Sequence, residues 1–146
     1  MGYFFYLSGI TILENIPMKA IRRCFFDIDG TVISLRDEIR PFTLDLWKFL
    51  SENGIRIYIF SGGGPDYARK HAHRVDPDYE VHKTVIPKQM GIFKEGDFVV
   101  DDSKDTIDMC KILGGDGYRI PFFEPLIELN DTEMLKIKDL INERLS

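Results

Sequence analysis

Three stretches of the chain end in oxygen chemistry. FFDIDGT, Phe25 to Thr31, places Asp27 and Asp29 two positions apart at the mouth of an apolar run. IYIFSGGG follows a similar run with Ser61 and three glycines, and FVVDD closes another with Asp101 and Asp102. Four carboxylates gathered in a small space repel one another unless a cation or shared protons lie between them. All are hard oxygen donors and no Cys or His belongs to the set, so magnesium is the expected guest. Magnesium keeps several waters and readily takes a phosphate oxygen as a further ligand. Ser61 can donate to one phosphate oxygen, and the N–H groups of Gly62 and Gly63, near a helix start, can donate to others. A lysine would complete the neutralisation, and Lys83 and Lys88 both lie in a stretch that can return to the site. Against a metal-bound phosphate, a rim aspartate can activate water or attack phosphorus itself to form an acyl-phosphate. The spacing favours attack by Asp27, with Asp29 protonating the leaving oxygen and later taking a proton from water. Gly30 lets the chain turn away without a side chain in the path of the phosphate.

The elements that must hold these groups follow from periodicity. Arg23 to Ile28 reads as a buried strand. Thr31 to Arg40 is a small excursion, and Pro41 opens a helix on which Phe42, Leu46, Phe49 and Leu50 recur at helical spacing, with Trp47 alongside. Asn53-Gly54 ends it, and IRIYIF is a second strand. SGGGPD is a turn before a helix over Tyr67 to Arg74, and a short strand is expected around Val81 to Val85. DFVVDD is the next strand. Ser103 is placed to cap a helix carrying Ile107, Cys110 and Leu113, stopped by Gly114-Gly115. GYRIPFF is a last strand, marked as near an edge by Pro121. NDTE offers an N-cap at Asn130, with Leu129 and Met134 as a hydrophobic staple. The closing helix shows Met134, Ile137, Ile141 and Leu145 on one side. Strands alternating with helices predict an α/β chain: a three-layer, doubly wound, Rossmann-like parallel sheet. Such sheets place ligand sites beyond the carboxyl ends of their strands, where the aspartates and Ser61 all fall.

FDIDGT, the serine ending IYIFS, a later lysine and VVDD resemble, in order and spacing, the four signature motifs of the haloacid dehalogenase superfamily of phosphohydrolases, over about residues 20–123. The resemblance implies that Asp27 is the nucleophile and Asp29 the general acid/base, with the main-chain carbonyl of Asp29 on the magnesium. It implies Ser61 as phosphate donor and Asp101 as a further metal ligand, so that the metal set is Asp27, Asp29 and Asp101. Asp102 would hold a metal-bound water or the lysine, and Asp105 extends the last motif. The interval to the paired acids favours Lys83 as the family lysine, with Lys88 as the alternative. Ser61 follows Asp29 by only 32 positions and 21 residues separate Ser61 from Lys83, too few for the cap domain many relatives insert. A capless, open site is similar to those of relatives acting on phosphorylated nucleic-acid ends, phosphoproteins or other bulky substrates.

At 146 residues and 44% hydrophobic content, the chain is long and greasy enough for one packed domain, taken as residues 18–146. Residues 1–17 precede a second plausible start, Met18, and read as an edge strand, a protomer contact or the product of an upstream start codon. They lack the basic start of a secretory signal, and no apolar run is long enough to cross a bilayer. Two cysteines, Cys24 and Cys110, suit core positions in a reducing, cytoplasmic setting. A net charge of −5 argues against a general nucleic-acid coat, while YARKHAHR, Tyr67 to Arg74, is basic enough to flank a phosphorylated polymer or nucleotide, or simply to be a solvated helix face. The expected activity is magnesium-dependent hydrolysis of a phosphomonoester through an aspartyl-phosphate, on a nucleotide or polynucleotide end. Sugar phosphates and phosphoproteins are alternatives, as is a non-catalytic or receiver-like magnesium-binding module. The expected partners are a phosphorylated small molecule or nucleic-acid end, no membrane, and a second copy of the chain covering the open site.

Overall fold

Strict alternation along three strands decides which side chain faces which layer. In β3 (Arg23–Asp27), β4 (Arg56–Phe60) and β6 (Asp97–Asp101), Cys24, Phe26, Ile57, Ile59, Phe98 and Val100 enter one apolar cluster. Phe25, Tyr58, Phe60 and Val99 enter another. Successive side chains of a strand point to opposite faces, so the two clusters are the two sides of one sheet. The computed structural model describes residues 6–7, 10–11, 20–77, 83–84, 93–125 and 130–145, with backbone alone at 6–7, 10–11 and 83–84.

The sheet has five parallel strands in the order β5-β4-β3-β6-β7, where β5 is Lys83–Thr84 and β7 is Asp116–Arg119. The chain starts in the middle, moves outward through β4 to β5, then crosses to β6 and β7. The switch therefore lies between β3 and β6, where open α/β sheets bind ligands. Helices α1 (Thr43–Glu52), α2 (Pro65–Val75) and α4 (Glu133–Leu145) supply Leu46, Trp47, Leu50, Ala68, Ala72, Met134, Ile137 and Ile141 to the first face. Helix α3 (Lys104–Ile112) brings Ile107 and Cys110 to the second. This is the doubly wound, three-layer architecture expected, and among the described residues no cap stands over the strand ends. Among the described residues no helix is long and apolar enough to cross a membrane.

Several local expectations shift. Phe42, expected on the buried helical stripe, is instead the residue before α1, in left-handed conformation at φ 67° and 41% exposed. Its place beneath the helix is taken by Thr43, whose hydroxyl donates to the Arg40 carbonyl (2.8 Å). Ser103 does precede α3, but its hydroxyl makes no cap; the Asp101 carboxylate accepts the Ser103 N–H instead (3.0 Å). At α4 the Asp131 carboxylate accepts the Glu133 N–H (3.1 Å), one residue later than the expected cap at Asn130. Leu129 of the expected staple lies outside the described residues. Leu145, expected on the buried side, is exposed, while its neighbour Arg144 pairs with Asp116 of β7 (2.7 Å). In the N-terminal stretch, β1 (Tyr6–Leu7) and β2 (Ile10–Thr11) pair with each other antiparallel, as a sheet separate from the main one.

Candidate active site

Parallel pairing sets the height of each polar group. Asp27 is the last residue of β3 and stands level with Phe60 of β4. Phe26 stands level with Val100, so Asp101, the last residue of β6, ends beside Asp27 on the neighbouring strand. Adjacent strands are about 4.8 Å apart, and carboxylates that end both must meet. They do: Asp27, Asp101 and Asp102 each offer a carboxylate oxygen, all within 4.8 Å of one another. A cleft of 380 Å³ opens over them, lined by Asp27, Asp29, Phe60, Gly62, Asp101, Asp102 and Ser103.

The electrostatics of the cluster follow from its burial. Desolvation, then the negative charges of Asp101 and Asp102, push Asp27 up to about 9. Desolvation likewise raises Asp101 to about 6, aided by Asp102 and opposed by the Ser103 N–H that its carboxylate accepts. Like charges this close cannot all ionise without a counter-ion. Three hard oxygen donors with no nitrogen or sulfur among them fit magnesium. The sequence assigned Asp102 a supporting place; the structure makes it a third member of the cluster.

The loop after β3 is shaped for this arrangement. The Ile28 carbonyl accepts N–H bonds from Thr31, Val32 and Ile33 (3.2, 2.9 and 3.1 Å), which curls the chain tightly past the strand end. Gly30 sits at φ 78°, and a Cβ there would fall inside the Phe122 ring. Phe122 and the left-handed backbone each require glycine here. Thr31 is buried, with its hydroxyl 3.4 Å from Asp27 Oδ2. Behind the loop, buried Arg40 pairs with Asp131 (2.8 Å) and donates to the Thr31 carbonyl (3.2 Å). That ion pair ties the loop to the start of α4.

Asp29 stands apart from the cluster on the exposed side of the loop. Its carboxylate accepts the Tyr67 hydroxyl at 2.6 Å and the Ser61 hydroxyl at 3.3 Å. This second bond joins two of the sequence motifs directly. Ser61 is buried, and its oxygen also accepts the Gly63 N–H at 3.0 Å, so that donor is turned inward while Gly62 lines the cleft. Tyr67 had no signal in the sequence beyond its place in the first turn of α2, and Thr31 was visible only as the last letter of FDIDGT.

The lysine is placed less closely. Lys83 pairs with Tyr58, which pairs with Phe25, so its backbone lies two residues below Asp27, about 6.6 Å along the strand direction. Lys88 lies outside the described residues. Much of the positive charge on α2 is used within the protein: Arg69 pairs with Asp66 (3.0 Å) and Arg74 with Asp37 (3.0 Å). His71 is buried against the Tyr67 ring (4.5 Å between centroids), whereas His73 is exposed, as their two-residue spacing on a helix requires.

No family model matches the sequence, and no curated protein does. Among solved structures the fold is similar to D,D-heptose 1,7-bisphosphate phosphatase from Burkholderia thailandensis, with a TM-score of 0.51 and 17% identity over 64% of this chain and 74% of that one. At that identity the likeness speaks for architecture. Taken with the strand order and the acids that end β3 and β6, it supports a doubly wound fold of the haloacid dehalogenase type, with no cap among the described residues.

Proposed function

We propose that the protein is a magnesium-dependent phosphomonoester hydrolase in which Asp27 forms an aspartyl-phosphate. The observation that carries this reading is the cluster of Asp27, Asp101 and Asp102, three carboxylates within 4.8 Å at the switch point of the sheet. Magnesium would be held by the carboxylates of Asp27 and Asp101 and the main-chain carbonyl of Asp29, with Asp102 adding an oxygen or holding a coordinated water. When bound, it neutralises the cluster and draws charge from a phosphate oxygen.

The chain's own residues then divide the work. Asp27 attacks phosphorus as the bond to the leaving oxygen breaks, and Asp29 gives that oxygen its proton. Water enters, Asp29 takes its proton, and attack on phosphorus breaks the bond to Asp27 and restores the carboxylate. Tyr67 and Ser61 hold the Asp29 carboxylate from two directions, and with phosphate bound the one Ser61 proton would turn from Asp29 to a phosphate oxygen. Lys83, whose backbone pairs two residues below Asp27, is the lysine favoured for neutralising the phosphate, with Lys88 as the alternative. A receiver module would need its paired acids at the end of the first strand of the sheet; here they close β6.

The open rim suits bulky leaving groups, among them polynucleotide ends, and sugar phosphates and phosphoproteins remain within the same chemistry. A second copy of the chain laid over the rim would instead favour small metabolites. The test is a panel of phosphorylated oligonucleotides, nucleotides and sugar phosphates, assayed with magnesium and with chelator, on the native chain and on Asp27→Asn. Magnesium-dependent release of phosphate that disappears in the variant is the expected result. Full turnover by Asp27→Asn would overturn the covalent route.

A further inference from the structure

The cleft over the carboxylates does not end at Asp102. Asp102 also lines a second depression of 360 Å³ with Arg119, Ile120, Pro121 and Phe122, so the two are neighbours on one rim. Arg119 is the last residue of β7 and pairs directly with Asp101, which sets its backbone one strand spacing, about 4.8 Å, from the cluster. Its Nε donates to the Asp102 carbonyl at 3.2 Å, which draws the side chain along the wall shared by the two depressions. Among the described residues no carboxylate forms an ion pair with its guanidinium, in contrast to Arg23, Arg40, Arg69, Arg74 and Arg144. Phe122, 43% exposed, stands beside it with one edge over Gly30. An exposed arginine and a half-open aromatic ring therefore flank the acidic rim on its β7 side.

We infer that Arg119 and Phe122 form a leaving-group subsite for substrates that carry a second phosphate group. This rests on the hydrolase reading above. The planar guanidinium keeps donors available after its Nε is bound to Asp102, and a fork of N–H groups matches a phosphate better than a point charge does. Phe122 supplies a flat apolar wall against which a sugar or base can lie. Without that second anion, a monophosphate would meet the clustered aspartates and no compensating charge on this side. The subsite thus selects by charge at a place where the missing cap leaves no other protein surface.

The experiment compares kcat/KM for adenosine 3′,5′-bisphosphate and fructose 1,6-bisphosphate with that for the corresponding monophosphates, in the native chain, Arg119→Ala and Arg119→Lys. The native chain should prefer at least one bisphosphate over its monophosphate by about 10- to 100-fold, the scale of a hydrogen bond to a charged group. In Arg119→Ala that ratio should fall towards one, and Arg119→Lys should restore part of it. An advantage confined to the adenosine compound would assign the wall of Phe122 to a base, and one shared by both compounds would assign it to the sugar; either supports the subsite. Equal ratios in native chain and Arg119→Ala would overturn it. If the native chain hydrolyses no phosphomonoester, the hydrolase reading fails separately. Calorimetric binding of adenosine 3′,5′-bisphosphate with magnesium then decides the subsite, a loss of affinity in Arg119→Ala supporting it and equal affinities overturning it.

Discussion

Strands β3 and β6 carry charge at both ends, and the two ends are built on opposite rules. At their start Arg23 and Asp97 stand level and make two bonds of 2.6 Å, with the guanidinium stacked near Phe25 and Tyr58. At their finish, four residues on, Asp27 and Asp101 bring like charges together and Asp102 adds to them. The first end is satisfied within the protein. The second is held in place by the same packed strands while its charges lack a protein counter-ion among the described residues, so the fold sustains a site that only a cation completes. Burial serves both ends: it strengthens an opposite pair and penalises a like pair.

Exchanging the character of the two ends tests this directly. The largest effect is expected at the finish, where Asp27→Asn should cut phosphatase turnover by about 10⁴-fold or more, the scale for a lost nucleophile. The same variant should raise the melting temperature of metal-free protein at pH 8, since asparagine needs none of the proton uptake that folding forces on Asp27 there. At the start, Asp97→Asn should do the reverse, costing about 3 kcal/mol in denaturant unfolding by leaving Arg23 without its buried partner. Next comes Asp29→Asn, with turnover lowered by about 10²-fold, the usual scale for an acid/base. Tyr67→Phe, which removes only the 2.6 Å bond to Asp29, should cost less, about 10-fold, and should fall harder on alkyl than on nitrophenyl phosphates.

A separate effect concerns pH. Without divalent ions Asp27, pushed up to about 9, keeps in the folded protein a proton that an ordinary aspartate releases near pH 3.9. The folded state then binds more protons than the unfolded one, so stability should fall as pH rises from about 4 towards 9. Magnesium displaces the proton and should flatten that slope. Melts at pH 5 and pH 8, with chelator and with magnesium, read it; a slope unchanged by the ion would mean that the two ends of the strands do not differ in this way.

The chemistry of the site was legible because it is written in short words. Apolar runs that end in Asp27, Ser61 and Asp101 can be read without coordinates, since burial forces the run into a strand and the strand's end puts the acid on the rim. What escaped were contacts between words. Tyr67 reaches Asp29 because α2 starts beside the β3 loop, and Arg40 meets Asp131 across 91 residues of sequence. Phe122 also requires glycine at Gly30, because the segment after β7 folds back over the first motif. The cap expected at Asn130 is made one residue later by Asp131, and Ser103 holds the expected cap position without a side-chain bond, its own N–H taken by the Asp101 carboxylate.

Residue type and spacing by themselves determined the class of fold, the hard-oxygen nature of the site and the strands that deliver it. These follow from local rules: the period of a strand, the burial of apolar runs and the softness of donor atoms. Only the tertiary structure decided that Asp102 joins the cluster, that Asp29 leans away to Tyr67 and Ser61, and that Arg119 stands level with Asp101. Those outcomes depend on which strands become neighbours and at what height they pair, and pairing height is a property of the whole packed sheet.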